Sequence, residues 1–320
     1  KASRSHRQNN YNFADGKVVF EDLWSRMHIE WNLSDNITFR NDTYILDASR
    51  EWQNLEEYSH NAITNQIDRA FYLGIVHEED QIGTRFDFLI DTEVAGMANS
   101  LSIGAEANDI ELDYLNNFST GGFGVGDSVP ISDFNPGATP AGSIPTILDY
   151  QTETQQAAIF IDNVLQLSDQ LSLVLGGRYD DIEFDRFDLA IGGNPAASFD
   201  TDFSEFTWRA GLVYQPTDQM SVYAQASTAA DPVTSPISIS RGNKDFDLAT
   251  GRQYEIGLKQ QLMQGRAEYT LAYFDIEKEV NLMYIPGYSI KKGSWRSYIG
   301  RYYCSCCGPP GYSKKYYSVN

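Results

Sequence analysis

Apolar and polar residues alternate with period two along much of the chain, and the alternating segments are joined in turn by tight and long connections. Met27, Ile29 and Trp31 interleave with His28 and Glu30, and Leu101, Ile103, Ala105 and Ala107 with Ser102, Gly104 and Glu106. Trp208, Ala210, Leu212 and Tyr214 interleave with Arg209, Gly211 and Val213. Tyr254, Ile256, Leu258 and Leu262 share a face opposite Gln253, Glu255, Lys259 and Gln261. Period two puts successive side chains on opposite sides of a β-strand. Tight polar turns are expected at Leu33–Asn36, Glu93–Asn99, Leu167–Gln170, Gln215–Gln219 and Met263–Gly265, and long loops near 50–68, 115–150, 189–203 and 228–250. The strands between them are 18–33, 36–49, 69–91, 99–114, 152–168, 171–188, 203–216, 219–229, 251–263 and 266–280.

Segments such as 69–91 and 171–188 far exceed the five to six residues typical of globular strands. A face bearing Glu, Lys, Gln and Arg cannot lie in lipid without a mid-bilayer charge, so it belongs against a wet lumen, with the apolar face outward. Short turns on one rim and long loops on the other complete the signature of a closed antiparallel barrel in a membrane. The expected fold class is therefore all-β: an antiparallel up-and-down transmembrane β-barrel, represented by about ten strands.

Composition agrees with this and removes other classes. The chain has 320 residues, 42% of them hydrophobic, and a mean hydropathy of −0.40. No run approaches the roughly 20 apolar residues of a spanning helix, whereas a spanning strand needs only about 9–11 with one apolar face. Aromatics make up 13% of the chain, which fits girdles at two membrane interfaces. A net charge of −20 leaves no basic stripe to neutralise phosphates, so nucleic acid is not an expected partner. Acidic loops would attract cations or cationic ligands, or simply maintain solubility. The chain opens at Lys1-Ala2-Ser3-Arg4 with no start methionine and no apolar signal-peptide core, so a fragment of an exported protein is expected.

The pattern changes near residue 280. Residues 1–280 carry 18 basic and 44 acidic side chains, whereas residues 281–320 carry six basic and none acidic, together with all three cysteines and eight of the twenty tyrosines. Cys304-x-Cys306-Cys307 lacks the second ligand pair of a zinc site. The chain divides into a partial barrel, 1–280, and an atypical basic Tyr/Cys-rich tail, 281–320; a basic accessory segment, a Cys-based metal site and a reading-frame error compete to explain the tail, and the simultaneous shift of every compositional index favours the frame error.

Several of the strands resemble the barrel of TonB-dependent outer-membrane siderophore receptors. The stretches that carry the resemblance are Glu21-Asp22-Leu23-Trp24-Ser25-Arg26 running into Ile29-Glu30-Trp31, Gly176-Gly177-Arg178-Tyr179-Asp180 with Phe184-Asp185-Arg186, and Gly251-Arg252-Gln253-Tyr254-Glu255-Ile256-Gly257-Leu258-Lys259 followed by Leu271-Ala272-Tyr273-Phe274-Asp275-Ile276-Glu277-Lys278. The resemblance covers roughly residues 10–280. It implies ferric-siderophore uptake, energised by the TonB complex through an N-terminal plug and TonB box that this sequence does not show. It also implies a last strand ending in an aromatic residue, whereas this chain ends Ser318-Val319-Asn320. The implied setting is the Gram-negative outer membrane, with its lipid and lipopolysaccharide as partners.

The resemblance further implies that loops and upper lumen bind an iron chelate, with iron retained by its chelator, so neither a cofactor nor a protein metal site is expected. Candidate ligand contacts are Trp52, Tyr58 and Tyr72 at the first long loop, Phe123 and Tyr150 at the second, and Arg241 at the fourth. The competing reading makes these girdle or loop-packing residues. Gly121-Gly122-Phe123-Gly124-Val125-Gly126 lacks the following helix of a phosphate cradle and reads as a surface loop. The run Asp180, Asp181, Glu183, Asp185 and Asp188 reads as a solvated strand end rather than a calcium site, since alternation divides it between two faces. His6, His28, His60 and His77 show no ligand spacing, with His28 expected to line the lumen, and no serine or cysteine nucleophile suggests an enzyme. The alternatives are a passive porin and a secreted β-rich binding or adhesion module.

Overall fold

The computed structural model describes residues 9–132, 135–138, 145–190, 195–231, 239–242, 244–245, 247–280, 293–297 and 301–306. The strands are β1 (Lys17–Ser34), β2 (Ile37–Asn61), β3 (Gln66–Val94), β4 (Met97–Asn116), β5 (Gly126–Pro130), β6 (Ile147–Ser168) and β7 (Leu171–Asp188). They continue with β8 (Ala197–Thr217), β9 (Met220–Asp231), β10 (Ala249–Leu262), β11 (Ala267–Val280), β12 (Gly293–Ser297) and β13 (Arg301–Cys306). One sheet runs β1-β2-β3-β4-β6-β7-β8-β9-β10-β11-β12, with β5 on β3 and β13 on β11. The up-and-down antiparallel order expected from the sequence is thus observed.

Five hairpins close tightly at one end of the sheet. Two-residue connections follow β1, β3, β6 and β8, and Ala95 and Gly96 both take positive φ (53° and 77°), the left-handed pair whose twist suits a hairpin. Between β10 and β11, Met263, Gln264 and Gly265 all have positive φ.

The first expected loop, 50–68, is instead strand. β2 continues to Asn61 and pairs with β3 from Glu51↔Val76 to Asn61↔Gln66, interrupted at Glu56–Phe71 where Phe71 takes a positive φ, closing over a short tip where the Asn61 side chain accepts the Ile63 and Thr64 amides. Above a membrane both faces of a ribbon meet water, so the alternation that betrays a strand disappears while its backbone ladder persists. The second loop contains β5, which takes the edge of β3 (Gln66–Ala70) above the point where β4 has left it. The Gly-rich stretch forms a single 3₁₀ turn, Gly122–Gly124, with no helix after it. Of the tail, β12 and β13 pair with β11; the remainder of 281–320, including Cys307, lies outside the described residues, as does His6.

Register fixes the two faces. Ile90 faces Leu101, Ile103 faces Ile161, Leu175 faces Ala210, and Leu212 faces Ala224. These residues share one apolar face on which Ile103, Ile161, Leu175 and Leu212 remain exposed. Trp31, Phe39 and Tyr214 sit on it near the tight turns, and Tyr179, Phe206, Trp208, Tyr254 and Tyr273 farther along, marking two aromatic levels. The opposite face holds a chain of ion pairs: Arg26–Asp42 at 2.6 Å, Arg40–Asp87, Arg178–Glu106 at 2.9 Å, Arg178–Asp180 at 2.8 Å and Arg209–Asp162 at 2.8 Å. His28 joins it through Asp42, 3.0 Å away.

Beyond the apolar band, on the same outward face, carboxylates line up across the strands. Asp47 faces Asp80, Asp80 faces Glu111, Glu111 faces Glu153, Glu153 faces Asp185 and Asp185 faces Asp200. Among the described residues none of the six is in an ion pair. The acidic run is split as alternation requires: Asp180 and Asp188 pair with Arg178 and Arg186, and Asp185 points to the other side.

Candidate functional site

The strands run 18–29 residues through β4, but a tilted strand crosses a bilayer in about 9–11. Their far halves therefore project past the apolar band, on the side of the long connections. There, on the polar face, a second transverse row crosses six strands in register: Phe20↔Arg50, Arg50↔His77, His77↔Tyr114, Tyr114↔Tyr150 and Tyr150↔Asp188. Directly opposed aromatic positions reinforce one another across a sheet.

The rings stack along this row. His77 and Tyr114 have centroids 5.1 Å apart, and Tyr114 and Tyr150 lie 4.5 Å apart at an interplanar angle of 7°. The Arg186 guanidinium covers the far face of Tyr150 at 3.5 Å, and is itself held by Asp188 at 2.6 Å and by the Ile239 carbonyl at 2.9 Å. Burial holds the phenols of Tyr114 and Tyr150 above their ordinary range, although Arg186 opposes this. Burial, and then the Arg50 cation, push the His77 imidazole below its ordinary value. At the row's open end Phe20 is 63% exposed, Trp52 is 46% exposed, and among the described residues Arg50 makes a single long ion-pair contact, 3.9 Å to Glu79. A half-buried, preformed stack thus ends in a ledge offering two aromatic faces and one cation.

The candidate residues divide accordingly. Tyr150 stands in the stack, and Trp52 lies on the same face two positions along β2 from Arg50. Tyr58 is half-exposed on the projecting β2–β3 ribbon, opposite Arg69, and burial raises its phenol. Tyr72 is a packing residue: it is 4% exposed in a cluster with Phe13 and Leu55, edge-on to Phe13 at 5.9 Å. Arg241 is exposed and tethers its loop by donating to the Ser198 carbonyl at 3.3 Å. Phe123 lies in the 3₁₀ turn, and its side chain falls outside the described residues. The structure adds Phe20, Arg50, His77, Tyr114 and Arg186. Tyr114 and His77 could have been matched by counting rungs from the Ala95–Gly96 turn; Tyr150 could not, because a long connection separates β4 from β6.

A second constellation fixes the outer segments. Arg69, 3% exposed, donates twice to Asp127 at 2.5 Å and to the Tyr11 and Pro136 carbonyls at 3.0 Å, beneath the Phe13 ring at 4.4 Å. The fully buried Asn117 bridges the edge of β3 through the Gly74 amide and the Tyr72 carbonyl.

A meandering sheet with an apolar outer band, an ion-paired inner face and a built row beyond the band is the wall of a large membrane β-barrel. The chain belongs to the TonB-dependent receptor family: the family model described as "TonB dependent receptor-like, beta-barrel" matches residues 2–290. It is 28% identical over 132 residues to the ferric-pyoverdine 358 receptor of Pseudomonas putida, covering 41% of this chain and 16% of that protein. It is also 28% identical over 188 residues to the ferrichrome outer membrane transporter/phage receptor of Escherichia coli K12, covering 55% and 24%. Among solved structures, it is similar to the ferric-catecholate import receptor Fiu of E. coli K12 in its closed form, with TM-score 0.78 and 17% identity over 94% of this chain and 47% of that one. The siderophore receptor PiuA of Acinetobacter baumannii gives TM-score 0.70 at 14% identity, over 91% and 48%. The chain spans less than half the length of these proteins.

Proposed function

We propose that this chain forms part of the barrel wall of an outer-membrane receptor for ferric siderophores, and that Phe20, Arg50, Trp52, His77, Tyr114 and Tyr150 form part of its ligand-facing surface. The observation that carries this reading is the in-register row on the inner face, beyond the apolar band, in a chain of this family. Aromatic faces and a half-free guanidinium suit a bulky chelate that is planar in parts and carries anionic oxygens. Tyr58, Phe123 and Arg241 join this proposal as contacts from the outer segments. Tyr72 stays with the packing reading.

Family membership implies the TonB complex as the energy-supplying partner and the outer membrane as the location. The apolar band would meet lipid, and the carboxylate row just beyond it would meet the headgroup layer of lipopolysaccharide. We further take the residues after about 282 as foreign to the native fold, although the family match runs on to residue 290; resequencing that recovers the same frame would remove this idea. The function is tested by deleting the gene and feeding a panel of ferric siderophores under iron limitation. Loss of growth on a subset is expected, and unchanged growth on every member would refute the reading.

A further inference from the structure

His77 differs from every other member of the row. Its Nε2 is buried and has no hydrogen-bond partner among the described residues, whereas Tyr150 and Arg186 are held from both sides. Its ring is stacked on Tyr114 at 5.1 Å. The titratable and charged groups facing it are Arg50 from β2, Tyr114 from β4, and Glu79, which lies two positions along β3 and contacts Arg50 at 3.9 Å. Arg50 thus places the nearest strong charge beside the ring, and that charge is positive. The ring stands well beyond the apolar band, in the projecting half of β3.

We propose that His77 makes this row selective for an anionic chelate by taking up a proton when such a ligand binds; the proposal rests on the siderophore-receptor reading given above. In the free protein burial and then Arg50 both disfavour the imidazole's cation. A group whose value is lowered in this way stabilises the free fold above its ordinary value near 6.5 and loses that contribution as pH falls. An anionic ligand beside Arg50 reverses the local potential. It offsets the guanidinium, favours the imidazolium, and gives the orphaned nitrogen a reason to carry a proton. A charge-neutral ligand supplies no such potential. Proton uptake follows linkage: affinity for the anion rises as pH falls towards the histidine's range, and affinity for the neutral complex does not.

The test is calorimetric titration of the full chain in detergent at pH 7, in two buffers of different ionisation enthalpy. The probes are a ferric tris-catecholate complex, multiply anionic, and a charge-neutral ferric trihydroxamate. The expected result is uptake of up to about one proton with the anionic complex and none with the neutral one. In His77→Gln the uptake should vanish, and the pH dependence of affinity, at most about tenfold per pH unit in the native chain, should flatten. Arg50→Gln keeps the ring and removes the competing cation, so half-maximal uptake should move to higher pH. Equal uptake in the native chain and His77→Gln, uptake with neither probe despite binding, or an unmoved midpoint in Arg50→Gln would each overturn the proposal. Failure of both complexes to bind would instead overturn the receptor reading, and this proposal with it.

Discussion

The Arg69 constellation can be broken cleanly, and the effect should stay local. Arg69→Met keeps most of the stem volume and removes the guanidinium that joins residues 9–16, β3 and the β5 segment. Four donated hydrogen bonds are lost, two of them to the Asp127 carboxylate. Breaking a buried pair costs about 3–5 kcal/mol when the abandoned charge stays dry. The Asp127 side chain, however, is 47% exposed and is rehydrated, which leaves the value of hydrogen bonds to a charged group, about 1.5–3 kcal/mol. A local cost of about 2–3 kcal/mol raises the opening equilibrium of β5 from β3 roughly 30- to 150-fold. Hydrogen–deuterium exchange should register that acceleration at Asp127–Val129 and in the facing Ile67–Arg69 stretch, with the β7–β8 ladder unchanged. Less than about a threefold change in β5 would refute the assignment of Arg69 as the tie, as would equal acceleration throughout the sheet.

Further outcomes can be checked on the same protein. A Cβ on Gly104 would lie 2.2 Å from the Phe86 carbonyl oxygen and 2.6 Å from the Phe160 ring; Gly104→Ala should therefore lower thermal stability by about 1–3 kcal/mol, read by the heat-modifiable gel shift, and an unchanged shift would contradict the close approach. Asp80→Asn removes a carboxylate opposed by both Asp47 and Glu111 and should raise the melting temperature in low salt by relieving about 0.2–1 kcal/mol per neighbour. That gain should shrink in molar salt, where screening reaches about 3 Å; a salt-independent gain would point elsewhere. Tyr114 and Tyr150 have phenols raised above their ordinary value of 10.0. Their contribution to stability is complete below that value and lost as pH rises through the folded-state values, so ultraviolet titration should show phenolate appearing later in the native chain than in urea. Coincident curves would contradict their burial.

Strands were legible wherever one face meets an apolar medium and the other meets water. The Ser100–Asn108 and Trp208–Tyr214 alternations mark β4 and β8 because a single misplaced residue there would put a polar group in hydrocarbon. Outside the band no such penalty writes itself into the sequence, so β2 beyond Arg50 read as a loop although its ladder continues to Asn61. The candidate site suffered for the same reason. Trp52 and Tyr150 stood out as aromatics next to expected loops, but the row that unites Arg50, His77, Tyr114 and Arg186 depends on register across β2–β3 and β4–β6. Register can be counted through a two-residue turn and not through a thirty-residue connection. Tyr72 could not be sorted from sequence, because an aromatic that caps a local cluster, as it does with Phe13 and Leu55, and one that awaits a ligand have the same signature there.

The charge division between the two faces also bears on how the sheet comes to be assembled. Arg85, Arg178 and Arg209 lie within the membrane-crossing parts of β3, β7 and β8, all on the inner face, with Arg85 the most central and Arg178 beside the far aromatic level. A slip of one residue in any of these hairpins turns the whole strand over and delivers its arginine to lipid, at a cost that reaches about 2–4 kcal/mol at the bilayer midplane and falls to about 0–1 kcal/mol near the interfaces. Each error carries its own penalty before the neighbouring strand has docked. The ion-paired face thereby disfavours a register slip strand by strand, in addition to the ladder hydrogen bonds that hold the finished wall.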